Sequence, residues 1–150
     1  AKGQTPFTPA ISQMVALQKA LEIYFEEGRE EIFARQGRMT GAVRAAARAL
    51  DLGLLVEDAH ASMTVTAILK PADVEVQNLC AVLRERFGVE IAAGQGKLSG
   101  SIFRFGHMGA IVEMDMIVGI AALEMALKIL GCSIELGKGV RAAQEVLISK

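Results

Sequence analysis

A chain of 150 residues is long enough to bury one hydrophobic core and short enough to form a single domain. Sixteen basic residues against seventeen acidic ones leave a net charge of -1, so no basic tail or face makes nucleic acid the default partner. The composition is aliphatic, 52% hydrophobic without Trp, and Cys80 and Cys132 show neither C-x-x-C spacing nor a signal peptide upstream; a reduced, cytoplasmic setting is expected.

The lead-in Ala1-Lys2-Gly3-Gln4-Thr5-Pro6-Phe7-Thr8-Pro9 is turn-rich and has no initiator Met, which suggests a piece of something longer. Thr8-Pro9 reads as a helix start, with Thr8 as cap and Pro9 at the first helical position. Ile11, Met14, Val15, Leu17, Leu21, Tyr24 and Phe25 then recur at helical spacing as a broad apolar stripe. Gly28 should interrupt this helix, and a second one runs from about Glu30 to Leu50, closed by Asp51-Leu52-Gly53. Arg44 and Arg48 lie one turn apart on it, as a basic patch or, the plainer reading, as a solvated helix face.

Leu54 to Glu57 is a candidate short strand, followed by a loop over Asp58 to Ala61. Ser62 to Leu69 alternates, with Met63, Val65, Ala67 and Leu69 on one side and Thr64, Thr66 and Ile68 on the other, which predicts a strand. Pro71-Ala72-Asp73 opens a helix whose buried face is Val76, Leu79, Cys80, Leu83 and Phe87, with Gly88 just past its end. Val89 to Ala93 reads as a strand, Gly94 to Gly100 as a hairpin loop with Lys97 at its tip, and Ser101 to Phe105 as a buried strand that presents Arg104 near its end. Ile111 to Leu130 is apolar nearly all round and predicts a well-buried helix. Glu113, Asp115, Glu124 and Lys128 argue against a bilayer span, and Glu124 and Lys128 have the spacing of an i,i+4 pair. Gly131 ends that helix, and Val140 to Ile148 forms a last amphipathic one. The order α-α-β-β-α-β-β-α-α implies an α+β fold with a small, mainly antiparallel sheet covered by helices.

Few residues stand out as chemistry. His60 and His107 are the only histidines, too far apart to suggest a metal site, and neither thiol has a Cys/His arrangement around it. His60 reads as a loop residue and His107 as a local structural one. The Gly94-x-Gly96 pattern lies between two strands, where a dinucleotide fingerprint would need a helix after it. Arg104 is the exception. A cation in so apolar a segment is costly unless paired, so it is either neutralised by an internal carboxylate or placed for an anionic ligand. Its planar fork suits a carboxylate held through two parallel bonds.

Thr5-Pro6-Phe7-Thr8-Pro9-Ala10 before a long helix, Ala93-Gly94-Gln95-Gly96-Lys97-Leu98, and Ile102-Phe103-Arg104-Phe105-Gly106-His107-Met108-Gly109 together resemble the C-terminal part of class V aminotransferases. The similarity is to the serine–pyruvate or alanine–glyoxylate branch, which includes proteins labelled as a soluble hydrogenase small subunit, and it runs over essentially the whole chain. It implies the C-terminal α+β domain of the fold-type I enzymes, whose large domain carries pyridoxal 5'-phosphate on a lysine. Residues 1–35 would then be the linker segment and long helix, and residues 36–150 the small domain. The resemblance makes Arg104 the group that binds the substrate carboxylate, and Thr8 a contact to the cofactor phosphate of the neighbouring subunit in a homodimer. A tyrosine that usually assists three residues earlier is replaced by Thr5, which weakens that contact. None of Lys2, Lys19, Lys70, Lys97, Lys128, Lys138 or Lys150 stands in the cofactor-lysine motif, so this piece alone is not expected to transaminate. The expected partners are a small amino acid, a 2-oxo acid and the large domain of the same protein, with no nucleic acid, membrane or metal. A non-catalytic, amino-acid-binding regulatory α+β module is the alternative, and it too would use Arg104.

Overall fold

The structure is a computed structural model that describes residues 3, 5 and 7–149; Ala1, Lys2, Gln4, Pro6 and Lys150 of the lead-in and tail lie outside them. The chain divides into two units, Ala1–Ala34 and Arg35–Lys150.

In the first unit, helix α1 spans Ile11–Glu27. Thr8 is not its cap. Ala10 holds that place, and a tight turn closed by the Ile11 N–H on the Pro9 carbonyl puts the proline outside the helix. Gly28, at φ 87°, breaks α1 from α2 (Arg29–Ala49) as expected. The apolar stripe of α1 is exposed along its length, with Met14, Leu17, Leu21 and Phe25 lining one groove.

The second unit is built on a three-stranded antiparallel sheet in the order β1-β3-β2, where β1 is Val65–Leu69, β2 Ala92–Ala93 and β3 Ile102–Gly106. Thr66 faces Phe105 and Ile68 faces Phe103 across the β1–β3 ladder. These four side chains are buried, so the Thr66 side of β1, not its more uniformly apolar side, turns inward. They pack with Met39, Val43, Ala46 and Ala47 of α2, Leu79 and Leu83 of α3 (Val76–Phe87), and Met116, Ile120, Leu123 and Leu127 of α4 (Glu113–Ile129). Gly119 is what lets α4 lie so close: a Cβ there would stand 2.6 Å from the ring of Phe105. The last helix, α5, is Lys138–Ile148 and packs on α4.

Several elements are shorter than their sequence patterns. Leu54 makes one bridge to Ile68 and the strand goes no further; two residues on, the Val56 carbonyl accepts from Arg44. Asp58–His60 is a 3-10 turn. Pro71 to Asp73 form a turn closed by the Val74 N–H, and α3 begins only at Val76. Helix α4 is not buried all round either: Met114, Val118, Met125 and Ile129 are exposed along one face.

The Glu124–Lys128 pair does not form. Glu124, 3% exposed, instead accepts the backbone N–H groups of Gly137, Gly139 and Val140 at 2.6, 2.7 and 3.1 Å. Its carboxylate is the anion at the otherwise uncapped start of α5, where free N–H groups and the helix dipole favour negative charge. Lys128 donates to the Ile134 carbonyl and so holds the turn between α4 and α5.

His107, 0% exposed, follows β3 and joins three elements. Its backbone N–H continues the ladder to the Thr64 carbonyl, Nε2 lies 3.0 Å from the Thr66 hydroxyl, and Nδ1 lies 3.5 Å from the Thr40 hydroxyl. The Thr40 proton is committed to the Gln36 carbonyl at 2.8 Å, so Nδ1 is the ring donor and Nε2 accepts from Thr66. With its amide turned to suit, Gln36 donates to the carbonyls of His107 and Met63 at 2.6 and 3.0 Å. Burial lowers the His107 pKa below its ordinary 6.5, and the nearby carbonyls of Met63 and His107 only partly oppose this.

Two predictions follow from these buried groups. Glu124→Ala should lower the unfolding free energy in urea by about 2–3 kcal/mol, since it orphans buried N–H donors, while Lys128→Ala should cost under about 1 kcal/mol; equal losses would restore the pair. A buried neutral histidine binds its proton more weakly folded than unfolded, so its contribution is complete above pH 6.5 and is lost as the pH falls below that value. Urea midpoints measured either side of pH 6.5 should therefore fall on the acid side for the native chain, and fall less for His107→Gln. Parallel curves would rule out a His107 contribution.

Candidate functional site

Strand alternation decides where Arg104 points. Phe103 and Phe105 enter the helix-covered core, so Arg104, between them, emerges on the opposite face of the sheet. It is the middle residue of β3, not near its end, and pairs with Ala67 of β1 on one side and Ala92 of β2 on the other. Both neighbours carry only a methyl group, which leaves room over the guanidinium. The face also carries Val65 and Leu69, both exposed, so within this unit the described helices cover one side of the sheet.

Arg104 is half-buried and donates from Nε to the Ala93 carbonyl at 3.1 Å. That bond fixes the plane of the guanidinium. Its two terminal amino groups have no partner among the described residues, and no carboxylate pairs with it there. Of the two readings open from sequence, the internal ion pair is absent among the described residues. A fixed fork with its outer edge unmatched can take a carboxylate through two parallel bonds.

The hairpin before β3 contributes shape. A Cβ on Gly94 would stand 2.1 Å from the Leu98 carbonyl oxygen and 2.8 Å from Ile102, so only glycine lets the loop fold back this tightly. The Gly94 N–H donates to the Ile102 carbonyl at 2.9 Å, and Gly96–Leu98 forms a 3-10 turn that carries Lys97 exposed at its tip.

The remaining candidates lie elsewhere. Thr8 is exposed on the lead-in of the first unit, and its hydroxyl has no hydrogen-bond partner among the described residues. Arg44 and Arg48 do not form a free basic patch: Arg48 is exposed, as on a solvated face, but Arg44 is not. Arg44 is 4% exposed and donates to Asp58 at 2.6 Å and to the Val56 carbonyl at 2.8 Å, while Arg48 binds the same carboxylate. The guanidiniums of Arg48 and Arg44 hold the Asp58 carboxyl below its ordinary pKa. His60 is exposed in the turn beside them. Burial raises the pKa of both free thiols, the reverse of what a nucleophilic cysteine needs. Among the described residues no three His, Cys, Asp or Glu gather as metal ligands, and no helix is long and apolar enough to cross a membrane.

A cleft of about 420 Å³ lies at the far end of β1, lined by Leu52, Lys70, Asp73, Leu127, Cys132 and Ile134 among others. Arg104 is not part of it, so its open sheet face, and not this hollow, is the place with unmatched binding chemistry. Sequence reasoning missed Arg35 and Arg38, which tie the segment after β3 to α2 through the Ile111 carbonyl at 2.9 Å and Glu113 at 2.8 Å. Only a charged pair about 75 residues apart could have signalled them, and that needs the fold.

No protein-family profile matches the chain. It is 43% identical over 148 residues to a soluble hydrogenase small subunit from Synechococcus sp., covering 98% of this chain and 38% of that protein. To serine–glyoxylate aminotransferase of Arabidopsis thaliana it is 34% identical over 143 residues, covering 95% of this chain and 36% of the plant enzyme. Its fold matches the crystal structure of pyridoxamine–pyruvate aminotransferase from Mesorhizobium loti with a TM-score of 0.93 and 34% identity, over 97% of this chain and 38% of that one. The chain thus spans a little over a third of the length of the relatives it matches. By sequence and fold together, the chain belongs with the class V aminotransferases, as a C-terminal domain of the fold-type I pyridoxal-phosphate-dependent kind.

Proposed function

We propose that the chain is the substrate-gripping part of an aminotransferase that, as a full-length protein, moves an amino group from a small amino acid such as serine or alanine to a 2-oxo acid such as glyoxylate or pyruvate. The observation that carries this reading is the unmatched edge of the Arg104 guanidinium on the open sheet face. Donor and acceptor share one feature, a carboxylate next to the reacting carbon, so one fixed fork serves both halves of the exchange. Arg104 holds that carboxylate and thereby presents the neighbouring carbon to the cofactor.

Bound pyridoxal 5'-phosphate supplies the electron sink for this chemistry. The chain's own fit to it is one contact. Thr8 offers an exposed hydroxyl without a partner among the described residues, a suitable donor to a phosphate oxygen. In this reading it reaches the cofactor phosphate of the neighbouring subunit in a homodimer. Residues 1–35 act as the linker segment and helix and residues 36–150 as the small domain, with the cofactor's lysine and the rest of the pocket on the large domain. The free cysteines suit a cytoplasmic setting.

The deciding measurement is steady-state kinetics of the full-length enzyme with Arg104→Ala and Arg104→Lys. KM for both the amino acid and the 2-oxo acid should rise tenfold or more, about 1.5–3 kcal/mol for a lost charge-assisted bond. Unchanged KM for both substrates refutes the role of Arg104. Thr8→Val should raise the cofactor's dissociation constant severalfold, read from its visible absorbance, and an unaltered constant removes Thr8 from the site. The purified 150-residue chain with added cofactor should show no turnover; measurable turnover would overturn the division of labour proposed here.

A further inference from the structure

We propose that His107 is a positioning residue for Arg104, holding from the buried side of the sheet the strand that presents the guanidinium on the open side. The proposal rests on the carboxylate-binding reading of Arg104 and adds the group that keeps it in place. His107 lies three residues after Arg104, fully buried, and its ring and backbone reach both β1 and α2. Thr66, its 3.0 Å partner, is chain-adjacent to Ala67, the residue that faces Arg104 across the ladder. Of the six buried polar side chains among the described residues, four (Gln36, Thr40, Thr66 and His107) belong to this one network. So much buried polarity at the end of one short strand calls for a reason beyond filling space, since a well-shaped apolar side chain packs there at less risk.

Register supplies the reason. A slip of β3 by one residue against β1 would turn Arg104 into the helix-covered core and bring Phe103 and Phe105 to the open face. Hydrophobic packing resists that slip but leaves smaller displacements along the strand soft. The imidazole does not. Its two nitrogens are matched to one hydroxyl on β1 and one on α2, and its backbone N–H and carbonyl are held by Thr64 and Gln36. The segment that follows is tied to the same helix by Arg35 at Ile111 and Arg38 at Glu113. Together these contacts fix both the height of β3 and its slide, and hence the place of the guanidinium to within the tolerance that a bidentate carboxylate contact demands.

The test uses the full-length enzyme, with KM and kcat read separately. His107→Phe keeps a planar ring and removes both nitrogens, and His107→Gln keeps a donor and an acceptor. His107→Phe should raise KM for amino acid and 2-oxo acid threefold or more, with kcat falling by a smaller factor, and His107→Gln should recover most of the loss. In an Arg104→Ala background, His107→Phe should add no further rise in KM, because the group it positions is gone. If His107→Phe does not fold, Thr66→Val removes the ring's partner at nearly constant shape and is read the same way. Unchanged KM in a folded His107→Phe or Thr66→Val enzyme overturns the proposal and leaves His107 a core residue. So does an equal rise with and without Arg104. If Arg104→Ala itself leaves KM unchanged, the carboxylate reading fails and this one falls with it. If Arg104→Ala raises KM and the His107 variants do not, only this one fails.

Discussion

The domain depends on the register between β1 and β3. With a period of two residues, that register puts Ile68, Phe103 and Phe105 against the helices and Arg104 on the far side in one step. A sheet of three strands has two faces, and this unit has helices for one of them. Burying two phenylalanines on the covered face removes a large apolar area from water, on the order of 150–250 Å² each. Projecting the intervening arginine outward is the geometric consequence. The core and the candidate site are therefore opposite sides of the same five residues.

The buried polar groups divide the remaining work. Glu124 closes the N-terminus of α5, Arg44 clamps the connection between α2 and β1 through Asp58 and Val56, and the His107 network joins β1, β3 and α2. Each links segments that are distant in sequence, and among the described residues no buried polar side-chain atom lacks a partner. Apolar packing is nondirectional and tolerates small sliding of one element on another. These hydrogen-bonded groups remove that freedom at three places, and one of them is the end of the strand that carries Arg104.

As a site, the open face is half of something. Arg104 has a fixed plane, small neighbours and an unmatched edge, but no walls close over it from the second unit. A guanidinium left this way still attracts a carboxylate, and it becomes selective only when the space above it is enclosed and dry. The relatives matched are more than twice the length of this chain.

The sequence by itself determined the elements that rest on local chemistry: the break at Gly28, the end of α3 at Gly88, the turn around Gly94, the β3 segment and the oddity of one arginine among phenylalanines. It also determined the family, because motif residues survive in a linear string. What it left open needed distance. Whether Arg104 had an internal carboxylate depended on which acidic residues the fold brought near it, and among the described residues none pairs with it. The i,i+4 spacing of Glu124 and Lys128 was a true local possibility that a stronger set of three backbone donors defeated. The inward face of β1 followed its partner strand and not its own hydrophobicity, since Thr66 is buried by the histidine it bonds. Local pattern records what a residue prefers with its neighbours in sequence. Only the tertiary structure decides which distant partner outbids that preference, and the partners of His107, Arg44 and Glu124 are all of that second kind.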